Sequence, residues 1–159
     1  MVIPEGMKII GNHWFCGSEI ASVEIPASVR EIWVDAFFIC KKLKSVVFAE
    51  GSQLEKIGSG SFCHTGIEKI TIPKDVEEIQ EHAFRECRNL KEAVFEAGSA
   101  LKKIGNHELN SCTNLKNIRL PDGLETIGIG CLWYSGLEEI TLPASVKSIE
   151  LYAFYRCEY

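Results

Sequence analysis

One isoleucine returns along the whole chain, as Ile10, Ile32, Ile57, Ile79, Ile104, Ile127 and Ile149. The successive intervals are 22, 25, 22, 25, 23 and 22 residues. A unit of that size has too little apolar surface to close a core alone. It gains one only by stacking on its neighbours, which makes the fold class a repeat solenoid. Such an architecture presents extended surface and favours binding over enclosed chemistry.

Each unit opens on a segment seen most fully from Ile79 to Cys87, with Ala83-Phe84 at its middle. The same frame recurs from Ile32 to Cys40 and from Ile149 to Cys157. A short apolar alternation follows, clearest in Leu115, Ile118, Leu120 and in Leu137, Ile140, Leu142. Period-two alternation over so few residues predicts a short strand with one buried face. Pro121 and Pro143 come directly after and cannot donate to a ladder, so the strand stops there. Val29, Val76, Leu124 and Val146 then lead into the next isoleucine. The longer units carry extra residues around Gly51-Ser52 and Gly98-Ser99, where turn chemistry absorbs them without shifting the apolar frame.

The order of these residues resembles the BspA-like, or treponemal-type, leucine-rich repeat. Its elements here are Leu115, Ile118, Leu120-Pro121, Leu124 and Ile127-Gly128, with the Ala-Phe and cysteine positions already noted. The likeness covers essentially the full chain. It implies a right-handed, curved leucine-rich-repeat solenoid, with a parallel sheet of short strands on one face and turns or short 3-10 segments on the other. It also implies microbial surface proteins, some of them adhesins. Glu108-Leu109 and Cys131-Leu132 depart from the Ala-Phe pattern and put local packing in question there.

Composition agrees with a globular domain: 46% of residues are hydrophobic and 25% charged, with mean hydropathy +0.03. Residues 1–159 read as a single domain of six to seven units, roughly 30 Å long at ~4.8 Å per strand. The net charge of −5 gives no footprint for nucleic acid or anionic lipid. No apolar run is long enough for membrane insertion. The chain starts in phase at Val2-Ile3-Pro4 and stops at Tyr159 where another strand is due, so both ends read as uncapped cuts through a longer array. No secretory signal precedes Val2, which leaves a cytoplasmic location open beside the cell surface or extracellular one that the resemblance implies. Val2 and Ile3 at one end, and Phe154, Tyr155 and Tyr159 at the other, are expected to expose apolar surface and support a homodimer.

Cys40, Cys87, Cys112 and Cys157 share one slot, which carries Ser18, Thr65 and Ser135 in the short units. Exchange with serine and threonine points to a row of buried free thiols near a turn. Seven is odd and no Cys-x-x-Cys occurs, so neither a zinc ribbon nor a full disulfide framework is expected. Cys87 and Cys112 are the one adjacent pair in that slot. His13, His82 and His107 share another phase, three residues after the isoleucine. His82 and His107 fall in neighbouring units, with Glu81 and Glu108 close in sequence, and read as turn histidines in preference to a metal site.

No nucleophile, base and orienting group converge at recognisable spacing, and no cofactor motif occurs. Gly58-Ser59-Gly60 lacks the lysine and strand-to-helix setting of a phosphate loop, and Gly58 recurs in phase as Gly11, Gly105 and Gly128. The chain reads as non-enzymatic. Strand residues between the buried ones line up outward as Glu24, Val47, Thr71, Val94, Arg119, Thr141 and as Ser22, Ser45, Lys69, Glu92, Asn117, Glu139. Val47, Lys69, Thr71, Val94 and Arg119 are the expected contacts for a protein partner. The leading reading is an adhesin-like module that binds host, matrix or cell-surface partners. The alternative is an intracellular scaffold using the same sheet.

Overall fold

The computed structural model describes residues 2–157; Tyr159, expected at an open end, lies outside the described residues. In chain order the strands are β1 (Ile9–Ile10), β2 (Ser22–Ile25), β3 (Glu31–Ile32), β4 (Ser45–Phe48), β5 (Lys56–Ile57) and β6 (Lys69–Ile72). They continue as β7 (Glu78–Ile79), β8 (Glu92–Phe95), β9 (Lys103–Ile104), β10 (Asn117–Arg119), β11 (Thr126–Ile127) and β12 (Ser148–Ile149). Turns and extended segments join them, and no helix occurs among the described residues.

The longer strands form a wide parallel sheet in the order β10-β8-β6-β4-β2. This is the ladder that alternation predicts. Val23 and Ile25 are buried while Ser22 and Glu24 face out, and Ile70 and Ile72 repeat the pattern in β6. The anchoring isoleucines add a second, narrow parallel ladder of two-residue strands, β1-β3-β5-β7 and β9-β11-β12. Register pairs Ile10 with Ile32, Ile32 with Ile57, Ile57 with Ile79, and then Ile104 with Ile127 and Ile127 with Ile149. Two residues are too short to show a period, so this ladder is silent in the sequence except through its isoleucines.

The turn segment after each isoleucine makes a third ladder. Asp35, Phe37 and Ile39 donate from their amides to Ser59, Ser61 and Cys63 carbonyls of the next unit at 2.9, 2.8 and 3.0 Å. Aiming these amides at the next unit requires left-handed backbone at two positions per unit. The first row is His13, Asp35, Gly60, His82, His107, Gly130 and Tyr152, with φ from 54° to 64°. Gly17, Ile39, His64, Glu86, Ser111, Tyr134 and Arg156 form the second, with φ from 56° to 68°. Gly60 adopts this conformation at no steric cost, whereas an L side chain in the left-handed region costs about 1–2 kcal/mol.

The core is a continuous apolar stack from Ile3 to Ala153. Phe15, Phe37, Phe62 and Phe84 stack ring on ring at 5.0, 5.1 and 5.3 Å, nearly parallel for the last two steps. The run ends at Leu109 and Leu132, the two positions that break the Ala-Phe pattern, and both leucines are buried. All seven cysteines are free thiols. In the shared slot, Cys40, Cys87, Cys112 and Cys157 donate to the carbonyls of Phe15, Phe62, Phe84 and Leu132 at 2.9–3.3 Å. Ser18, Thr65 and Ser135 stand beside Cys40, Cys87 and Cys157 in the adjacent units. This explains the exchange among cysteine, serine and threonine: the slot needs a small donor. Burial pushes the Cys87 thiol up to about 11 and the Cys63 thiol to about 12, which keeps both protonated.

Two expectations need correction. The alternation at Leu137, Ile140 and Leu142 predicts a strand, but none forms there, so Thr141 and Glu139 do not join the ladders. Leu142 is 40% exposed and Ile149 46%, although the other six anchoring isoleucines are at 5% or below. The last coil keeps its rung in the narrow ladder, where Ile149 pairs with Ile127, but adds no strand to the wide sheet beyond β10. At the opposite end Val2 is exposed but Ile3 is 4% exposed, so Ile3 belongs to the core and not to an open face.

Candidate functional site

Register places the five expected contact residues side by side on the wide sheet. Glu24 sits opposite Val47 in the β2–β4 pair, and Ser45 opposite Lys69 in the β4–β6 pair. Thr71 then faces Val94, and Val94 faces Arg119. Val47 is 52% exposed. Lys69, Thr71 and Arg119 are exposed and Val94 half-buried. Strand alternation turns their neighbours Val46, Ile70 and Ala93 into the core, which fixes the outward row rigidly.

The surface has two shallow hollows. One, of about 280 Å³, is lined by Val47, Phe48, Lys69, Thr71 and Glu96. The other, of about 540 Å³, includes Val94, Arg119, Asn117, Asp122 and Glu139. All five expected residues therefore line a hollow, in two groups that meet across the β6–β8 pair. Lys69 Nζ lies 2.7 Å from Glu92 on the neighbouring strand, and Lys91 Nζ 3.2 Å from Glu68. Arg119 makes no ion pair among the described residues. The chemistry on offer is a β-branched stripe (Val47, Thr71, Val94) edged by charge.

The turn face gathers other side chains. His82 and His107 stack at 5.4 Å, as their shared phase anticipates. Burial holds the His82 imidazole below its usual range, with Arg85 and His107 adding to the effect. The two carboxylates nearest in sequence turn elsewhere. Glu81 accepts from Asn106 Nδ2 at 2.9 Å, while Glu108 points into the core and accepts from the Gly105 amide at 2.6 Å. Burial pushes the Glu108 carboxyl well above the ordinary range. No cluster of three or more His, Cys, Asp or Glu side chains suited to a metal occurs among the described residues. Sequence spacing misses the ring cluster around Trp133, because its members occupy different slots of the unit.

The family model for the BspA type leucine rich repeat region matches in six copies, over residues 1–91 and 52–159. No curated protein matches the chain. Among crystal structures, it is similar to a leucine rich cell surface protein from Faecalibacterium prausnitzii A2-165. The two are 28% identical with a TM-score of 0.82, over 98% of this chain and 44% of that one. It is also similar to the pneumococcal vaccine antigen PcpA, at 25% identity and TM-score 0.78, over 91% of this chain and 40% of that one. The T. pallidum leucine rich repeat protein TpLRR, 23% identical at TM-score 0.59, shares the fold over 82% of this chain and 73% of its own. The chain thus spans less than half the length of the first two.

Proposed function

The chain belongs to the BspA-type leucine-rich repeat family, and on that premise we propose that it is a non-enzymatic protein-interaction module of a microbial cell-surface protein. Residues 1–159 act as one adhesin-like domain whose wide sheet docks host, matrix or cell-surface proteins. The observation that carries this reading is the outward row Val47, Thr71 and Val94, held in register by buried neighbours and flanked by Lys69 and Arg119. A rigid row costs little conformational entropy on docking. The descriptions of two similar structures, a cell surface protein and a vaccine antigen, support the location. Self-association as a homodimer belongs to the same reading, through the exposed Leu142 and Ile149.

A second reading, an intracellular scaffold, draws on one observation. Seven free cysteines suit a reducing compartment. It uses the same sheet and differs only in the partner.

A photo-crosslinking residue tests the docking face. Placed at Thr71, it should capture a bound partner; placed at Glu125, outside the wide sheet, it should not. Capture at Glu125 alone would move the site off the sheet.

A further inference from the structure

Six rings form a connected chain across the turn face of the last units. His82 stacks on His107, and His107 meets Trp133 at 6.3 Å. Trp133 in turn contacts Tyr134, Tyr152 and Tyr155 at 6.0, 5.8 and 5.6 Å. Tyr134, Tyr152 and Tyr155 are each more than 40% exposed. Arg156 lies over the rings of Tyr134 and Tyr155 and donates to the Tyr134 hydroxyl. From this cluster we infer that the turn face carries a second binding site, separate from the wide sheet, whose ligand is a saccharide, preferentially one bearing a carboxylate.

Three observations carry the assignment. First, the backbone presents the rings: Tyr134 and Tyr152 have φ of 57° and 59°, in the two left-handed rows that recur in every unit, and both side chains are exposed there. Second, the cluster borders a hollow of about 340 Å³ lined by His82, Arg85, His107, Asn110, Ser111 and the rings of Trp133 and Tyr134. Gly130 lets the His107 ring pack close against the chain beside the hollow, since a Cβ there would lie 2.6 Å from that ring. Third, Trp133 Nε1–H is shut off from solvent and meets no acceptor among the described residues, which leaves a donor in the cluster unsatisfied.

The chemistry of the lining selects the ligand. Flat aromatic faces accept the C–H side of a sugar ring, and Asn110, Ser111 and the imidazoles supply donors and acceptors for hydroxyl groups. The lining holds no carboxylate, although the chain's net charge is −5 and four other hollows each include one. Arg85 is its permanent charge, with Nη2 3.5 Å from the Glu86 carboxylate, and the rest of its planar fork disfavours a cationic ligand and can pair with a sugar carboxylate.

Calorimetric titration with oligogalacturonate and with its neutral methyl ester tests the assignment. Both should bind the native chain, the acid more tightly. Trp133→Ala and, independently, Tyr134→Ala should weaken both by about tenfold. Arg85→Gln should remove only the preference for the acid. Val47→Glu with Val94→Glu should leave sugar binding unchanged, which separates this site from the docking sheet. Tyr134 is exposed, so its variant stays informative if Trp133→Ala does not fold. No heat with either oligosaccharide, or full affinity in Tyr134→Ala, would overturn the proposal; a protein partner held by Trp133 and displaced by neither sugar would do the same.

Discussion

The Glu108 carboxyl accepts a hydrogen bond from the Gly105 amide at 2.6 Å, in place of a rung between units. Elsewhere the residue after each isoleucine donates to the isoleucine carbonyl one unit back. Gly58 does so to Ile32 at 2.7 Å and Gly128 to Ile104 at 2.9 Å. At Gly105 the buried carboxyl takes the amide instead, and β7 and β9 do not pair. The narrow ladder splits into two sheets at that step, where a hollow of about 440 Å³ opens beside Glu77, Glu78 and Lys103. A single departure from the Ala-Phe pattern thus interrupts one ladder while the wide sheet runs on through β8.

Glu108 also sets a pH dependence. Burial raises its folded-state value above that of the unfolded chain, so the folded state holds the proton more tightly. Its contribution is fully present below the unfolded value and is lost as pH rises towards and through the folded one. Glu108→Gln keeps an acceptor for the Gly105 amide without the titration. Relative to wild type it should gain stability between pH 4 and pH 8, by roughly 1–3 kcal/mol. Urea melts at the two pH values check this, and a constant difference between the two proteins would contradict it.

Phe62 is fully buried between Phe37 and Phe84 in the ring stack. Truncation leaves a cavity that both neighbouring units must share. Phe62→Ala should cost about 3–5 kcal/mol. A loss below about 1 kcal/mol in chemical denaturation would show that the stack is not the structural axis of the fold.

Ile39 combines a β-branched side chain with φ of 57° on an exposed turn. The hydrogen bond its amide donates to the Cys63 carbonyl needs the backbone conformation but not the side chain. Ile39→Gly should relieve the left-handed penalty and lose part of that gain to unfolded-chain entropy, for a net stabilisation of up to about 1 kcal/mol. A lower Tm would mean that the side chain contributes more than its exposure indicates.

Thiol accessibility should divide the cysteines. Cys16 is exposed and Cys157 half-buried, while Cys40, Cys63, Cys87, Cys112 and Cys131 are buried. A thiol reagent on the native chain should modify Cys16 first, with the five buried residues reacting only on unfolding. Peptide mapping that finds Cys87 or Cys112 modified as fast as Cys16 would contradict the packed slot.

The isoleucine period and the strand alternation made the solenoid, the wide sheet and its outward row legible from the sequence. Val47, Thr71 and Val94 could be aligned because each lies between two apolar residues or beside a buried one. The narrow ladder was not legible, since β1, β3, β5, β7, β9, β11 and β12 are each only two residues long. Nor were the left-handed rows, whose members share a backbone angle and no side-chain chemistry: Asp35, His82 and Tyr152 have nothing else in common. The Trp133 cluster forms across slots three, six and seven residues beyond the isoleucine, so only stacking brings it together. Alternation signals only a capacity to pair, and the segment from Leu137 to Leu142 carries it without joining β10 at the edge of the wide sheet.

The most direct test of the docking sheet is binding of the chain and of a Val47→Glu, Val94→Glu variant to a panel of purified extracellular-matrix proteins, by surface plasmon resonance. Both valines face outward, so circular dichroism and Tm of the variant should match wild type within experimental error. The account predicts saturable wild-type binding to at least one matrix protein and its loss in the variant. Equal binding by the two proteins, or no wild-type binding across the panel, would contradict it.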